Sequence, residues 1–232
     1  MAGPLELFNA VMTQSRLQNR TYACEAAIGA SLPIRSTLLD IQHSGDALHC
    51  IMGMISVSIN LTLTYICDEN LSFSEAVVRT FKQGLFEDDA FMDLEGTETA
   101  MKLLILGREL GLPLEFKDIA VEPIAKRRDL KSWTNVGDAF AEEDRLLAER
   151  AERARKNGCT LRYVQRIECN PPVEMGNEDS VTVKCSIRLE EVPLNTIYAS
   201  VRGAVYHFSF HTERYSQSPL IVQVQHIHIH NY

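Results

Sequence analysis

GLFEDDAFMDLEGTETAMKLLILGRELG, residues 84–111, governs how the remaining chain is read. Two acidic clusters, Glu87-Asp88-Asp89 and Asp93-Leu94-Glu95, stand just before Gly96. The apolar run that follows predicts a helix over 101–110, and Gly111 falls at C′, where a left-handed residue often ends a helix. Glu98 and Lys102 are four apart and share one helix face near its start. Glu87 lies eleven residues before Glu98, on the loop that feeds this helix. Three ionisable groups therefore converge on one helix N-terminus, where the dipole favours acidic partners. Two readings fit the pattern: an exposed Glu–Lys pair beside a solvated acidic loop, or a cluster gathered for chemistry.

Working outward, Ser72-Phe-Ser-Glu75 is a capping box that opens a short amphipathic helix ending at Gly84. Residues 47–58 form an apolar run suited to a buried strand, entered through the Gly45-Asp46 turn. Apolar residues at 5, 7, 8, 11, 12 and 17 predict an amphipathic helix over 5–18. From Tyr22 a strand is predicted to lead through a glycine turn into a Pro-initiated helix over 34–43. In the other direction, 126–131 is a small basic loop that reads as solvated surface. A charged helix follows over 138–157, with Phe140, Leu146, Leu147 and Ala151 as a narrow apolar stripe. Strands are predicted at 160–168, 180–190, 203–211 and 219–229. On the last of them His226, His228 and His230 share one face with chelating spacing, yet no acidic or cysteine partner stands nearby, so an exposed or frayed tail competes with a metal site.

The chain has 232 residues and a net charge of −8, which suits one large domain or two small ones and offers no basic stripe for nucleic acid. No apolar run reaches the roughly 20 residues that a membrane span needs. The N-terminus lacks a basic segment followed by an apolar one, so no secretory signal is read there. Six scattered cysteines without a C-x-x-C pair read as buried reduced thiols in a cytoplasmic protein.

The central stretch resembles the catalytic segment of homoserine dehydrogenases, G-x-x-E-P-D-P-x-x-D-L-x-G-x-D-V-x-R-K-L-x-I-L-A-R-E. Gly84, Glu87, Asp89, Asp93, Leu94, Gly96, Lys102, Leu103, Ile105, Leu106, Arg108 and Glu109 match it without a gap. Departures fall at Asp88 and Ala90 (family prolines), Glu98 (family Asp) and Met101 (family Arg). The segment from Tyr22 is similar to the family's Y-E-A-T-V-G-A-G-L-P-I, with Ser31 in place of a glycine. Residues 45–66 keep Gly45, Asp46, Ile51, Gly53 and Ser56, but Val57 stands where the family has glycine, at a turn that lies close to the substrate in the family. The likeness covers about residues 10–222 and is nearest to the dehydrogenase half of bifunctional aspartokinase–homoserine dehydrogenases.

That resemblance implies an α+β fold, a mixed or mostly parallel sheet flanked by helices and completed by the C-terminal strands. It implies a single domain over 1–232, the catalytic and substrate portion, without the G-x-G-x-x-G strand–turn–helix of a dinucleotide-binding half. The implied reaction is NADP-dependent interconversion of L-aspartate 4-semialdehyde and L-homoserine. Lys102 would be the proton donor and acceptor; Glu87 and Glu98 would bind the substrate, and Asp93 would support Lys102. A monovalent cation (Na⁺ or K⁺) would be held through Glu25, Ile28, Ala30 and Leu32. A homodimer is implied as well, with the nucleotide-binding half supplied by a longer chain or in trans. The competing reading is a non-catalytic remnant that keeps the fold and its oligomer interface without binding cofactor.

Overall fold

The computed structural model describes residues 2–29, 32–130, 132–133 and 136–225. Its centre is one six-stranded sheet, ordered β2-β4-β3-β1-β5-β6. The strands are β1 (Leu48–Met54), β2 (Ile119–Val121), β3 (Cys159–Val173), β4 (Thr182–Pro193), β5 (Val205–Thr212) and β6 (Leu220–Gln225). Among the described residues only β2 and β4 pair in parallel; the other four pairings are antiparallel. The sheet is thus mixed, with its balance toward antiparallel rather than parallel. The reason lies in the connections, since β3 runs into β4 and β5 into β6 through short loops, which join antiparallel neighbours.

Helices α3 (Ile34–His43), α4 (Val57–Glu69), α5 (Phe73–Lys82), α7 (Thr97–Glu109) and α8 (Ala141–Lys156) accompany this sheet, with one-turn α2 (Glu25–Ile28) and α6 (Phe91–Leu94) and the outlying α1 (Leu5–Leu17). Along β5, Phe208 and Phe210 point into the main core with Ile51 of β1 and Leu161, Tyr163 and Ile167 of β3. Period-two alternation sends their neighbours to the opposite face. In α8 the buried residues are Leu147, Ala151 and Ala154, while Leu146 is exposed. The four- and three-residue steps keep one stripe inward and leave the Glu and Arg residues in water. The capping box at Ser72 and Glu75 is formed as the sequence implies.

Three segments differ from the sequence reading. The apolar run 47–58 is a strand only to Met54, and α4 begins at Val57. Ser56 caps that helix, accepting a hydrogen bond from the Ile59 N–H, and the Ile55 N–H is taken by the Gln165 side chain. Nine residues of α4 are buried, so it lacks the polar face by which a helix announces itself. The segment after Tyr22 holds the single helical turn α2 instead of a strand. Helix α7 starts at Thr97, a full turn before the apolar run, because Gly96 adopts a left-handed φ of 76° and redirects the chain there. The strand predicted over 219–229 is described to Gln225, and His226, His228 and His230 lie outside the described residues. All six cysteines are free thiols, and among the described residues no helix is long and apolar enough to cross a membrane.

Candidate active site

Beside the end of β1, hydrogen bonds link the acidic loop to the start of α4 and Lys102 of α7 to the β1–α4 turn. Asp93, on the one-turn α6, ties the acidic loop to the first turn of α4. One carboxylate oxygen accepts from the Ser58 hydroxyl at 2.7 Å, and the other from the Glu87 N–H at 3.0 Å. Asp93 is buried, and Ser58 belongs to the first turn of α4. The loop carrying Glu87 is thereby fixed against α4.

Glu98 and Lys102 stand on the first turns of α7. Lys102 Nζ lies 2.5 Å from one Glu98 carboxylate oxygen, and the two side chains are only 13% and 15% exposed. A longer contact of 3.5 Å runs from Nζ to the Ile55 carbonyl at the β1–α4 turn. The second oxygen of Glu98 is buried and has no hydrogen-bond partner among the described residues. A buried carboxylate oxygen left so is costly unless something else fills the place. The surface-pair reading of Glu98 and Lys102 is therefore overturned: the pair is enclosed.

Electrostatics follow the burial. Desolvation pushes the Asp93 carboxyl up to about 6 despite its two hydrogen bonds, and the charges of Glu98 and Glu87 act in the same direction. Glu98 is raised by burial against the pull of Lys102, with Glu87 adding to the rise. Burial alone would lower Lys102, but the charges of Glu98, Tyr206 and Asp93 outweigh it and hold the ammonium above the usual lysine range. Glu87 is exposed, and its charge reaches both Asp93 and Glu98, so the four acid–base residues singled out in the sequence do form one cluster.

Asp93 gives the site a pH-dependent stability. Its folded value of about 6 lies above the ordinary 3.8, so the folded chain binds this proton more tightly than the unfolded one. Stability from this group therefore grows as pH falls through 6 and is complete below about 3.8, worth about 3 kcal/mol in all. Urea unfolding at pH 5 and pH 7.5 should show Asp93→Asn losing that acid-side gain relative to the parent chain. Equal pH slopes in the two proteins would rule it out.

Two partners were not legible beforehand, Ser58 and the Ile55 carbonyl. A hydroxyl inside an apolar run at a strand–helix turn was the available signal for Ser58. The basic loop after Lys126 is also more than solvated surface. Arg127 reaches Asp89 at 2.8 Å and Glu95 at 3.3 Å, and Trp133 stacks on Phe81 and Phe86, so this strap pins the acidic loop from outside. A cavity of about 590 Å³ lined by Ser74, Glu75, Val78, Arg79 and Val136 opens on α5, and none of the four acid–base residues lines it.

The expected cation positions lie elsewhere. Cys24, next to Glu25, has its thiol pushed up by burial and by the charge of Glu109 at the far end of α7, where Glu109 pairs with Arg35 at 2.7 Å. Glu98 and Glu109 are eleven residues apart, or about 16 Å of helix. Glu25 is half-buried on α2, Ile28 is buried and closes that turn, and the Leu32 carbonyl accepts the Ile34 N–H at 2.8 Å. Ala30 lies outside the described residues, as does Ser31. The described residues thus present only part of that donor set, and no group of three or more His, Cys, Asp and Glu placed to hold a metal occurs among them. Nor do they include a glycine-rich strand–turn–helix, so they do not fit the pyrophosphate of a dinucleotide.

Comparison with known proteins bears on the family and the fold. The family model described as homoserine dehydrogenase matches residues 33–226. A bifunctional aspartokinase/homoserine dehydrogenase 1 of Zea mays is 34% identical over 229 residues, 96% of this chain and 23% of that protein. One from Escherichia coli is 30% identical over 88% of this chain and 24% of its own length. The chain thus spans about a quarter of the length of these relatives. Among solved structures, a Candida auris protein of unknown function superposes with a TM-score of 0.80 at 27% identity, over 96% of this chain and 61% of that one. The homoserine dehydrogenase of Thiobacillus denitrificans shares the fold, with a TM-score of 0.73 at 18% identity over 95% of this chain and 44% of its own. Site geometry, motif and family match converge, and the chain belongs to the homoserine dehydrogenase family.

Proposed function

We propose that residues 1–232 are the catalytic portion of a homoserine dehydrogenase, acting on L-aspartate 4-semialdehyde and L-homoserine. The observation that carries this reading is the enclosed Glu98–Lys102 pair with its unpartnered carboxylate oxygen. A substrate ammonium is the natural partner for that oxygen, and the exposed Glu87 carboxylate stands ready for a further polar group of the substrate. Lys102 delivers a proton to the substrate oxygen as the aldehyde is reduced and recovers it in the reverse direction. Because its charge is held by its neighbours, Lys102 enters reduction already protonated. Oxidation needs the free amine and gains from rising pH. Asp93 acts at one remove, locking the acidic loop onto Ser58.

When bound, a nicotinamide dinucleotide, NADP(H) in this reading, supplies the hydride. Its binding unit lies outside these residues, in a longer chain or in trans, and a monovalent cation at Glu25, Ile28, Ala30 and Leu32 and a homodimer belong to the same proposal. Titration calorimetry of the 232-residue chain with NADPH should accordingly show no binding in the low micromolar range. A clear low-micromolar isotherm would contradict the assignment.

The functional test places this segment behind the dinucleotide-binding half of a relative. Homoserine-dependent reduction of NADP⁺ by the graft is the expected result. A folded graft without turnover would favour the non-catalytic reading, for which the buried Val57 at the start of α4 speaks.

A further inference from the structure

Tyr206 completes the cluster from the sheet side. It sits on β5, facing the helix layer with Phe208 and Phe210, and packs against the main core. The strand is hydrogen-bonded on both sides, to β1 and to β6, with Tyr206 opposite Val224. A residue on such a strand has little freedom to drift. Its ring lies under the Lys102 ammonium, with Nζ 5.4 Å from the ring centroid.

Lys102 has three N–H donors. Glu98 takes one at 2.5 Å, and the Ile55 carbonyl is a distant second at 3.5 Å. Both leave the ammonium poorly solvated in an enclosed site, the setting in which an aromatic face holds a cation most strongly. If a substrate ammonium settles on Glu98, it competes for the charge that now steadies Lys102. The aromatic face stays available to Lys102 when such a substrate is bound, as does the distant Ile55 carbonyl.

We propose that Tyr206 is a positioning residue for Lys102, its ring face holding the ammonium in place and in its charged form. The catalytic consequence rests on the function proposed above; the contact itself does not. The groups acting on Lys102 are Glu98 on its own helix, Asp93 on α6, the Ile55 carbonyl at the β1–α4 turn and Tyr206 on β5, while the charge of Glu87 on the acidic loop reaches Glu98, Asp93 and Tyr206. Electrostatics tie the phenol to the same groups: burial raises it first, Lys102 opposes, and Glu98, Glu87 and Asp93 add to the rise.

The test reads Lys102 directly in the full 232-residue chain. Trace acetic anhydride acetylates only the free amine, and mass spectrometry of the Lys102 peptide gives its rate against pH. Accessibility scales the whole curve, whereas a change in charge stabilisation moves its midpoint. Tyr206→Phe keeps the ring and removes the phenol's charge, so its midpoint is the reference against which the ring itself is read. Pentafluorophenylalanine at position 206 keeps the shape but reverses the ring quadrupole. It should move the midpoint to lower pH and make Lys102 react about threefold to tenfold faster below it. A midpoint with the fluorinated ring no lower than that of Tyr206→Phe overturns the proposal. That outcome is separate from the graft assay: a moved midpoint in a silent graft sinks only the functional reading, and an unmoved one in an active graft sinks only the role of Tyr206.

Discussion

Lys102→Met in the grafted enzyme should lower turnover by about two to four orders of magnitude, the usual share of general acid–base catalysis. Methionine keeps much of the apolar stem and removes the proton. The structure adds a stability effect that an exposed pair would not show. Both side chains are mostly enclosed, so the substitution leaves Glu98 as a buried carboxylate without its cation. Breaking such a pair costs about 3 kcal/mol. Losing Lys102 also raises the Glu98 pKa further, since the lysine was lowering it. The stability deficit should therefore be largest at alkaline pH and shrink as Glu98 takes up a proton. Lys102→Met combined with Glu98→Gln should recover most of the melting temperature and none of the turnover. Assays well below the melting transition separate the two losses. Full turnover with methionine at 102 would return the pair to a purely structural role.

How much of this could be read beforehand follows from the range of each interaction. Glu98 and Lys102 were legible because the four-residue step is local geometry, and the capping box at Ser72 and Glu75 was legible for the same reason. Gly111 closing α7, with φ of 84°, belongs with them. Burial of the Glu–Lys pair was not legible, because the enclosing groups come from the β1–α4 turn and from β5. Helix α4 was hidden by its own burial, an apolar run of β-branched residues that pattern alone cannot separate from a strand. Tyr206 was hidden by register: alternation along 203–211 offers two faces, and only pairing with β1 decides which one meets α7. Strand direction also depends on connections between neighbours, so a mixed sheet is legible in the sequence but the share of antiparallel pairs in it is not.

Gly96→Ala should be among the most damaging substitutions of a single methyl group in this chain. Gly96 immediately precedes α7, and its φ of 76° costs an alanine about 1–2 kcal/mol. Space is the second difficulty. An added Cβ would collide with the Tyr163 hydroxyl and lie 2.8 Å from Val121 Cγ1. Tyr163 cannot easily yield, since it is fully buried and its hydroxyl donates to the Glu122 carbonyl at 2.8 Å. Overpacking of this kind adds about 1–3 kcal/mol. Gly84→Ala is the matched control: φ is 66° there, but nothing lies within 4 Å of the added carbon, so only the backbone cost applies. The difference between the two urea-unfolding energies isolates the collision, and Tyr163→Phe in the Gly96→Ala background should return part of it. If α7 relieves the strain by shifting, Glu98 and Lys102 move with it, two and six residues downstream. A displacement of about 1 Å costs on the order of a hundredfold in rate. The graft carrying Gly96→Ala should then lose turnover at temperatures where it remains folded, while Gly84→Ala keeps it. Equal unfolding energies for the two alanine variants would show that the close approach of Tyr163 and Val121 does not constrain the start of the helix.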